Sequence, residues 1–176
     1  MEKEIYVVFT NREYKGANGF NAESISFDKK KAQKAFNDWK KAILEEFADE
    51  IAEAEDEDEI EVVNTKDYFL YNDNARYYIE GFLQTCPCTK EVKTQGFVGV
   101  VAGLSDGSEI EDIKVFSTKR GAVNWTKKQV FAIKEDCDKD SNKEISWAIT
   151  ESPKWIELDS DASVSVCGFI VKLEVL

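Results

Sequence analysis

The sequence predicts an α+β fold: two diverged copies of one β-β-α-β-β-β module, packed as one pseudo-symmetric unit. Three observations carry that expectation. Hydrophobic patterning passes from strand-like to helical spacing and back, twice along the chain. The order of elements in the second half repeats that of the first. Near the end of each half a matching phrase recurs. Asn72-Asp73-Asn74-Ala75, five residues, then Gly81-Phe82-Leu83 returns as Asp159-Ser160-Asp161-Ala162, five residues, then Gly168-Phe169-Ile170. The modules are expected at residues 1–85 and 96–176, with 86–95 as the junction. A short sheet with one helix buries a single sheet face, so paired modules hide more apolar surface than either alone.

In the first module, Ile5 to Phe9 is a β-branched and aromatic run suited to a strand buried on both faces. Asn11 to Asn21 is rich in Asn and Gly and reads as a loop. Ser24 to Phe27 alternates as a short strand, and Asp28 is placed to cap a helix. Within that helix Ala32, Ala35, Phe36, Trp39, Ala42, Ile43 and Phe47 form one apolar stripe. An acidic run follows from Asp49 to Glu61. Ile60 and Val62, Tyr68 to Tyr71 and Arg76 to Leu83 restore strand character, with a turn at Asn72-Asp73-Asn74. In the second module Phe97 to Ala102 and Ile113 to Phe116 take the first two strand positions, with Ser117 at the cap. Ala122, Trp125, Val130 and Ile133 face inward on the helix. Glu135 to Glu144 reads as a polar loop. Strands follow at Ile145 to Ile149, Lys154 to Leu158 and Ser163 to Val175, with Pro153 confined to a strand start or edge.

Composition narrows function. Twenty-three basic and 35 acidic residues, with no histidine, give a net charge of −12. Such a field repels nucleic acid and anionic lipid over about 8 Å at physiological salt, so neither direct nucleic-acid binding nor membrane association is expected. Lys29, Lys30, Lys31 and Lys34, and Lys119, Arg120, Lys127 and Lys128, fall where helix surfaces are expected, not in one basic footprint. The N-terminus lacks the pattern of a signal peptide, and no apolar stretch approaches the ~20 residues of a membrane span. A cytoplasmic chain with reduced thiols is expected, Cys86 and Cys88 being the most reactive at an exposed junction. One Cys-Pro-Cys pair does not make a structural zinc site, so no metal and no cofactor is expected.

Without histidine the commonest general base, and the usual partner of a Ser or Cys nucleophile, is missing. The glycines of 96–103 follow neither phosphate-binding pattern. The chain is therefore not expected to be an enzyme. Asp136, Asp138, Asp140, Asn142 and Glu144 alternate like a calcium loop, but Ser141 stands where Gly is required and Trp147 where a bidentate Glu is required. The strongest candidate site is the acidic run Asp49, Glu50, Glu53, Glu55, Asp56, Glu57, Asp58, Glu59 and Glu61. Carboxylates at a helix C-terminus oppose its dipole, so keeping them there suggests presentation to a basic protein partner. The alternative is a small-ligand-binding module with an aromatic pocket between the repeats, drawn from Trp39, Trp125, Trp147, Trp155, Tyr68, Tyr71, Tyr77 and Tyr78.

The segment Ile113-Lys114-Val115-Phe116-Ser117-Thr118-Lys119-Arg120-Gly121-Ala122, after the strand Phe97 to Ala102, resembles small strand–helix modules of unknown function found in phage and mobile-element proteins of bacteria. Ile25 to Ala32 is a weaker version. The resemblance covers about a third of the chain and implies no activity. It implies an accessory protein of a phage or mobile element. Joined to the acidity, it suggests an inhibitor of a host defence nuclease that imitates nucleic acid, in the manner of an anti-CRISPR protein.

Overall fold

A computed structural model describes residues 3–14, 17–54, 60–73, 76–103, 109–141, 145–152, 155–161 and 164–176. The fold is mixed α+β and mostly strand. The elements are β1 (Lys3–Tyr14), β2 (Ala17–Ser26), α1 (Lys29–Glu46), α2 (Ala48–Glu53), β3 (Glu61–Asn64), β4 (Tyr68–Asn72), β5 (Tyr77–Cys88), β6 (Gln95–Gly103), β7 (Glu109–Phe116), α3 (Lys119–Asp140), β8 (Trp147–Glu151), β9 (Trp155–Ser160) and β10 (Ser165–Glu174). They form two compact units. One comprises Glu4–Cys86 and Glu174–Leu176; the other comprises Pro87–Leu173 with Lys3. The division falls inside β5.

In the first unit the strands run β2-β1-β5-β4-β3. β1 and β2 form a long hairpin with a register shift between Val8 and Phe9. The expected loop from Asn11 to Asn21 is therefore largely strand, with Asn11 opposite Phe20 and Arg12 opposite Gly19. Thr10 Oγ1 donates to Glu23 at 2.9 Å, and the Asn21 amide donates to the same carboxylate at 3.1 Å. Thr10 thus bonds across the strand pair, while Asn21 bonds along its own strand. Ile5, Val7, Val8 and Phe9 are all buried, so both faces of β1 are covered. At the far edge Val175 bridges Ile25 in parallel, and the Leu176 amide donates to Ile25 O at 2.9 Å.

Asp28 caps α1 as expected, accepting from the amides of Lys30 and Lys31 at 2.7 and 3.4 Å. The helix buries Ala32, Phe36 and Ile43, while Ala42 of the expected stripe is exposed. Lys40 is buried in its place. Its Nζ donates to Asn64 Oδ1 at 3.0 Å and to the Thr65 carbonyl at 2.8 Å, and it lies 4.9 Å from the Phe36 ring centroid. Desolvation lowers its pKa, and Asp67 partly opposes that. Lys40 ties α1 to the β3–β4 turn. The core pairs Val8, Phe36, Ile43 and Phe47 with Phe69, Tyr71 and Ile79, and Trp39 packs at its margin. Fully burying an aromatic or aliphatic side chain contributes roughly 1.5–3 kcal/mol.

The second unit runs β7-β6-β10-β9-β8. It repeats the element order, and its strands pair in the same second-first-fifth-fourth-third sequence. Cys88 pairs in parallel with Val115, and the Thr89 amide donates to Val115 O at 2.9 Å. Thr118, not Ser117, caps α3, its hydroxyl accepting from the Gly121 amide at 3.1 Å. Phe116 ends the strand, so both Ser117 and Thr118 fit before the first helical turn. α3 also runs through the expected polar loop as far as Asp140. Its last turns are held by the Lys134–Asp138 and Lys139–Asp136 pairs and by the Trp147 indole N–H, which donates to Asp138 at 2.8 Å.

One device recurs. A Cβ on Gly81 would lie 2.4 Å from Trp39 Cζ3, and one on Gly168 would lie 2.3 Å from Thr126 Cγ2 and 2.9 Å from Val130 Cγ2. Each long helix is seated on its sheet at a glycine of the fifth strand, where no side chain can intervene.

Candidate functional site

The acidic run starts where α1 stops. Phe47 leaves helical geometry, its amide still donating to Ile43 O at 3.1 Å, and α2 restarts at Ala48. Asp49 and Glu50 therefore occupy the first turn of a new helix, where carboxylates are favourable. The expected conflict with a helix C-terminus does not arise for these two. Ile51 and Ile60, on either side of Glu55, Asp56, Glu57, Asp58 and Glu59, both pack against the core of the first unit. Those five carboxylates lie outside the described residues. Asp49, Glu50 and Glu53 on α2, and Glu61 on β3, are exposed, and no described cation pairs with them. Among the described residues β3 pairs only with β4, as a sheet edge does. Residues 1–86 hold 20 acidic and 11 basic side chains, net −9, against 15 and 12, net −3, in residues 87–176.

Glu61 leads onto a second group of residues. Cross-strand partners share a sheet face. Tyr68 is opposite Phe82, Leu70 opposite Glu80, and Asn72 opposite both Tyr78 and Glu61. The intervening pairs, Phe69 with Gly81 and Tyr71 with Ile79, face α1. The reverse face thus gathers Tyr68, Tyr78, Glu80, Phe82 and Glu61. Tyr68 Oη donates to Glu80 Oε1 at 3.0 Å, and the Tyr78 hydroxyl also bonds this carboxylate. The rings of Tyr68 and Phe82 are 5.3 Å apart. Tyr68, Tyr78, Glu80 and Phe82 are half-buried, and Glu61 is exposed. Burial pushes the Glu80 pKa up, against the two hydroxyls that stabilise its anion. Burial, then Glu80 and Glu61, raises the pKa of Tyr68 and Tyr78. This is a patch of negative potential walled by aromatic rings. Sequence reading missed it, although the two-residue alternation of Tyr78, Glu80 and Phe82 was the available signal: a carboxylate between aromatics on one strand face.

The remaining motifs resolve differently. Cys86 and Cys88 are buried at 1% and 0% exposure, so the expected exposed, reactive pair is overturned: β5 continues through them into the pairing with Val115. None of the four cysteines forms a disulfide. Cys167 is pushed up to about 12 by burial and then by Glu157, with Asp159 adding to it. Asp136, Asp138 and Asp140 lie on α3, so no calcium loop forms around them; Asn142 and Glu144 lie outside the described residues. Among the described residues no group of three or more Cys, Asp or Glu could hold a metal ion, and no helix is long and apolar enough to cross a membrane.

The aromatics divide between two cores. Trp39, Tyr71 and Tyr77 pack in the first unit, whereas Trp125 and Trp147 pack in the second and Trp155 is exposed. The Tyr71 hydroxyl is buried without a hydrogen-bond partner among the described residues, and its pKa is pushed up to about 12, chiefly by burial. Within the second unit Phe97, Lys119, Ile170, Val171 and Lys172 line a groove of about 480 Å³. No protein-family model matches the chain, and neither a curated protein nor a solved structure is significantly similar to it.

Proposed function

We propose that this chain is a non-enzymatic, protein-binding accessory factor that meets a basic partner through the acidic edge of its first unit. The form we favour is a phage or mobile-element inhibitor that imitates nucleic acid against a host defence nuclease. One observation carries the reading. Ile51 and Ile60, within the run, pack against the core of the first unit, and its described carboxylates, Asp49, Glu50, Glu53 and Glu61, are exposed without counter-charges among the described residues. Spaced carboxylates on a fixed base match the requirements of a surface that reads phosphates. We also propose that the chain arose by duplication of modules at 1–85 and 96–176. The shared element order, the shared strand order and the glycine seat beneath each helix support that history.

The test is competition. A short DNA duplex is bound to a purified defence nuclease, and the chain is added at 50 and at 500 mM salt. Wild type displaces the duplex at low salt. A variant with all nine carboxylates of the run replaced by Gln or Asn associates at least about tenfold more slowly, and the difference shrinks at high salt. A neutralised variant that competes as well as wild type at 50 mM overturns the reading. A different ligand-binding reading has one supporting observation, the groove within the second unit: Lys119 and Lys172 in its lining suit an anionic molecule with an apolar body, and none of the eight aromatics of the expected pocket lines it.

A further inference from the structure

We infer that the Tyr68–Tyr78–Glu80–Phe82 face is an anchor for an arginine side chain of the partner. This rests on the reading of a basic partner and specifies what part of it is gripped. Glu80 is a half-buried carboxylate whose described partners are the hydroxyls of Tyr68 and Tyr78, and no described Lys or Arg pairs with it. Removing an anion from water without a counter-ion is costly, and an incoming cation recovers that cost. The flanking groups select the kind of cation. Tyr68 and Phe82, 5.3 Å apart, and Tyr78, one register step along, offer aromatic surface beside the carboxylate. Aromatic faces beside an anion suit a cation held over a ring. A guanidinium is planar, stacks on rings, is more weakly hydrated than an ammonium and can engage a carboxylate with two N–H groups. An ammonium would enter with a tighter water shell and would gain one point contact.

The acidic edge adjoins this face through Glu61, which shares the side of β3 facing Asn72 and contributes to the field at both Tyr68 and Tyr78. Division of labour follows. The exposed carboxylates of α2 attract the partner over a distance, and the half-buried Glu80 holds one residue at contact.

Labelled hexa-arginine and hexa-lysine peptides are the probes, read by fluorescence anisotropy at 50 mM salt, with NMR of the tyrosine rings in parallel. Hexa-arginine is expected to bind more tightly than hexa-lysine and to shift the ring signals of Tyr68 and Tyr78. Glu80→Gln is nearly isosteric and is expected to weaken hexa-arginine binding about tenfold or more, as for loss of a charge-assisted bond. Neutralising Asp49, Glu50 and Glu53 slows association but leaves the ring shifts at saturation. Equal affinity of Glu80→Gln and wild type overturns the anchor, and if the α2 variant alone is impaired, the acidic-edge reading survives without it. Should Glu80→Gln fail to fold, the wild-type ring shifts still decide: unperturbed Tyr68 and Tyr78 at saturation overturn the anchor. No binding of either peptide overturns both.

Discussion

Gly81→Ala is the sharpest probe of how the first unit is assembled. The backbone at Gly81 lies outside the left-handed region, so alanine meets no conformational penalty there. The obstacle is one ring. The new methyl would lie 2.4 and 2.5 Å from Trp39 Cζ3 and Cη2, where carbon atoms prefer roughly 3.5–4.0 Å. The ring must retreat by more than about 1 Å. It is wedged between Phe36, stacked at 5.8 Å, and Phe69, edge-on at 5.5 Å, so retreat disturbs both contacts. Overpacking of this kind costs about 1–3 kcal/mol. Alanine also restricts the unfolded chain, which offsets about 0.4–1 kcal/mol. A net loss of about 1–2 kcal/mol is expected. Urea titration by far-ultraviolet circular dichroism measures it, read on the first unit's transition if the two units unfold separately. The decisive comparison is the Trp39→Leu background. With the indole gone, Gly81→Ala should become neutral or stabilising, giving a coupling of about 1–3 kcal/mol. A loss below about 0.5 kcal/mol in wild type, or an equal loss in both backgrounds, would refute the seating argument.

Two further predictions concern features that the sequence alone misassigned. Thr118→Ala should destabilise the second unit by about 0.5–2 kcal/mol, while Ser117→Ala stays within about 0.5 kcal/mol; denaturant melts that reverse this order would return the cap to Ser117. With a disulfide-exchange reagent under native conditions, the half-exposed Cys137 should react first, and the buried Cys86 and Cys88 only on unfolding. Cys167, its pKa pushed up to about 12 by burial and neighbouring carboxylates, should stay slow as pH rises from 7 to roughly 9, because the thiolate is the reactive form. Rapid native labelling at Cys86 or Cys88, located by mass spectrometry, would contradict their burial.

Elements whose causes are local were legible in the sequence. Asp28 before a stripe of apolar residues at helical spacing needs nothing beyond its own first turn to cap α1. The aromatic and apolar run Tyr68 to Tyr71 and the turn residue Asp73, which accepts from the Arg76 and Tyr77 amides at 2.6 and 2.7 Å, are likewise short-range. The position of Asp49 to Glu61 as a charged connection between α1 and the next strands was also readable. Which of its carboxylates are presented was not readable, because side-chain exposure depends on packing.

Other features were decided by groups distant in sequence. Asn11 to Asn21 favours turns residue by residue, yet pairing with a neighbouring strand makes most of it a hairpin. Glu135 to Asp140 is polar enough for a loop, but Trp147 from β8 reaches Asp138 and completes the helix. Lys40 is buried because Asn64 and Thr65 satisfy its ammonium from another element. Cys86 and Cys88 are buried because the chain beyond Gln84 continues as strand, not as an exposed junction. Glu80 acquires its tyrosine partners only when β4 and β5 are set in register. Sequence determines propensities one segment at a time. Burial, cross-strand register and the satisfaction of buried polar groups are properties of pairs of segments, and they exist only once the tertiary structure has chosen the pairs.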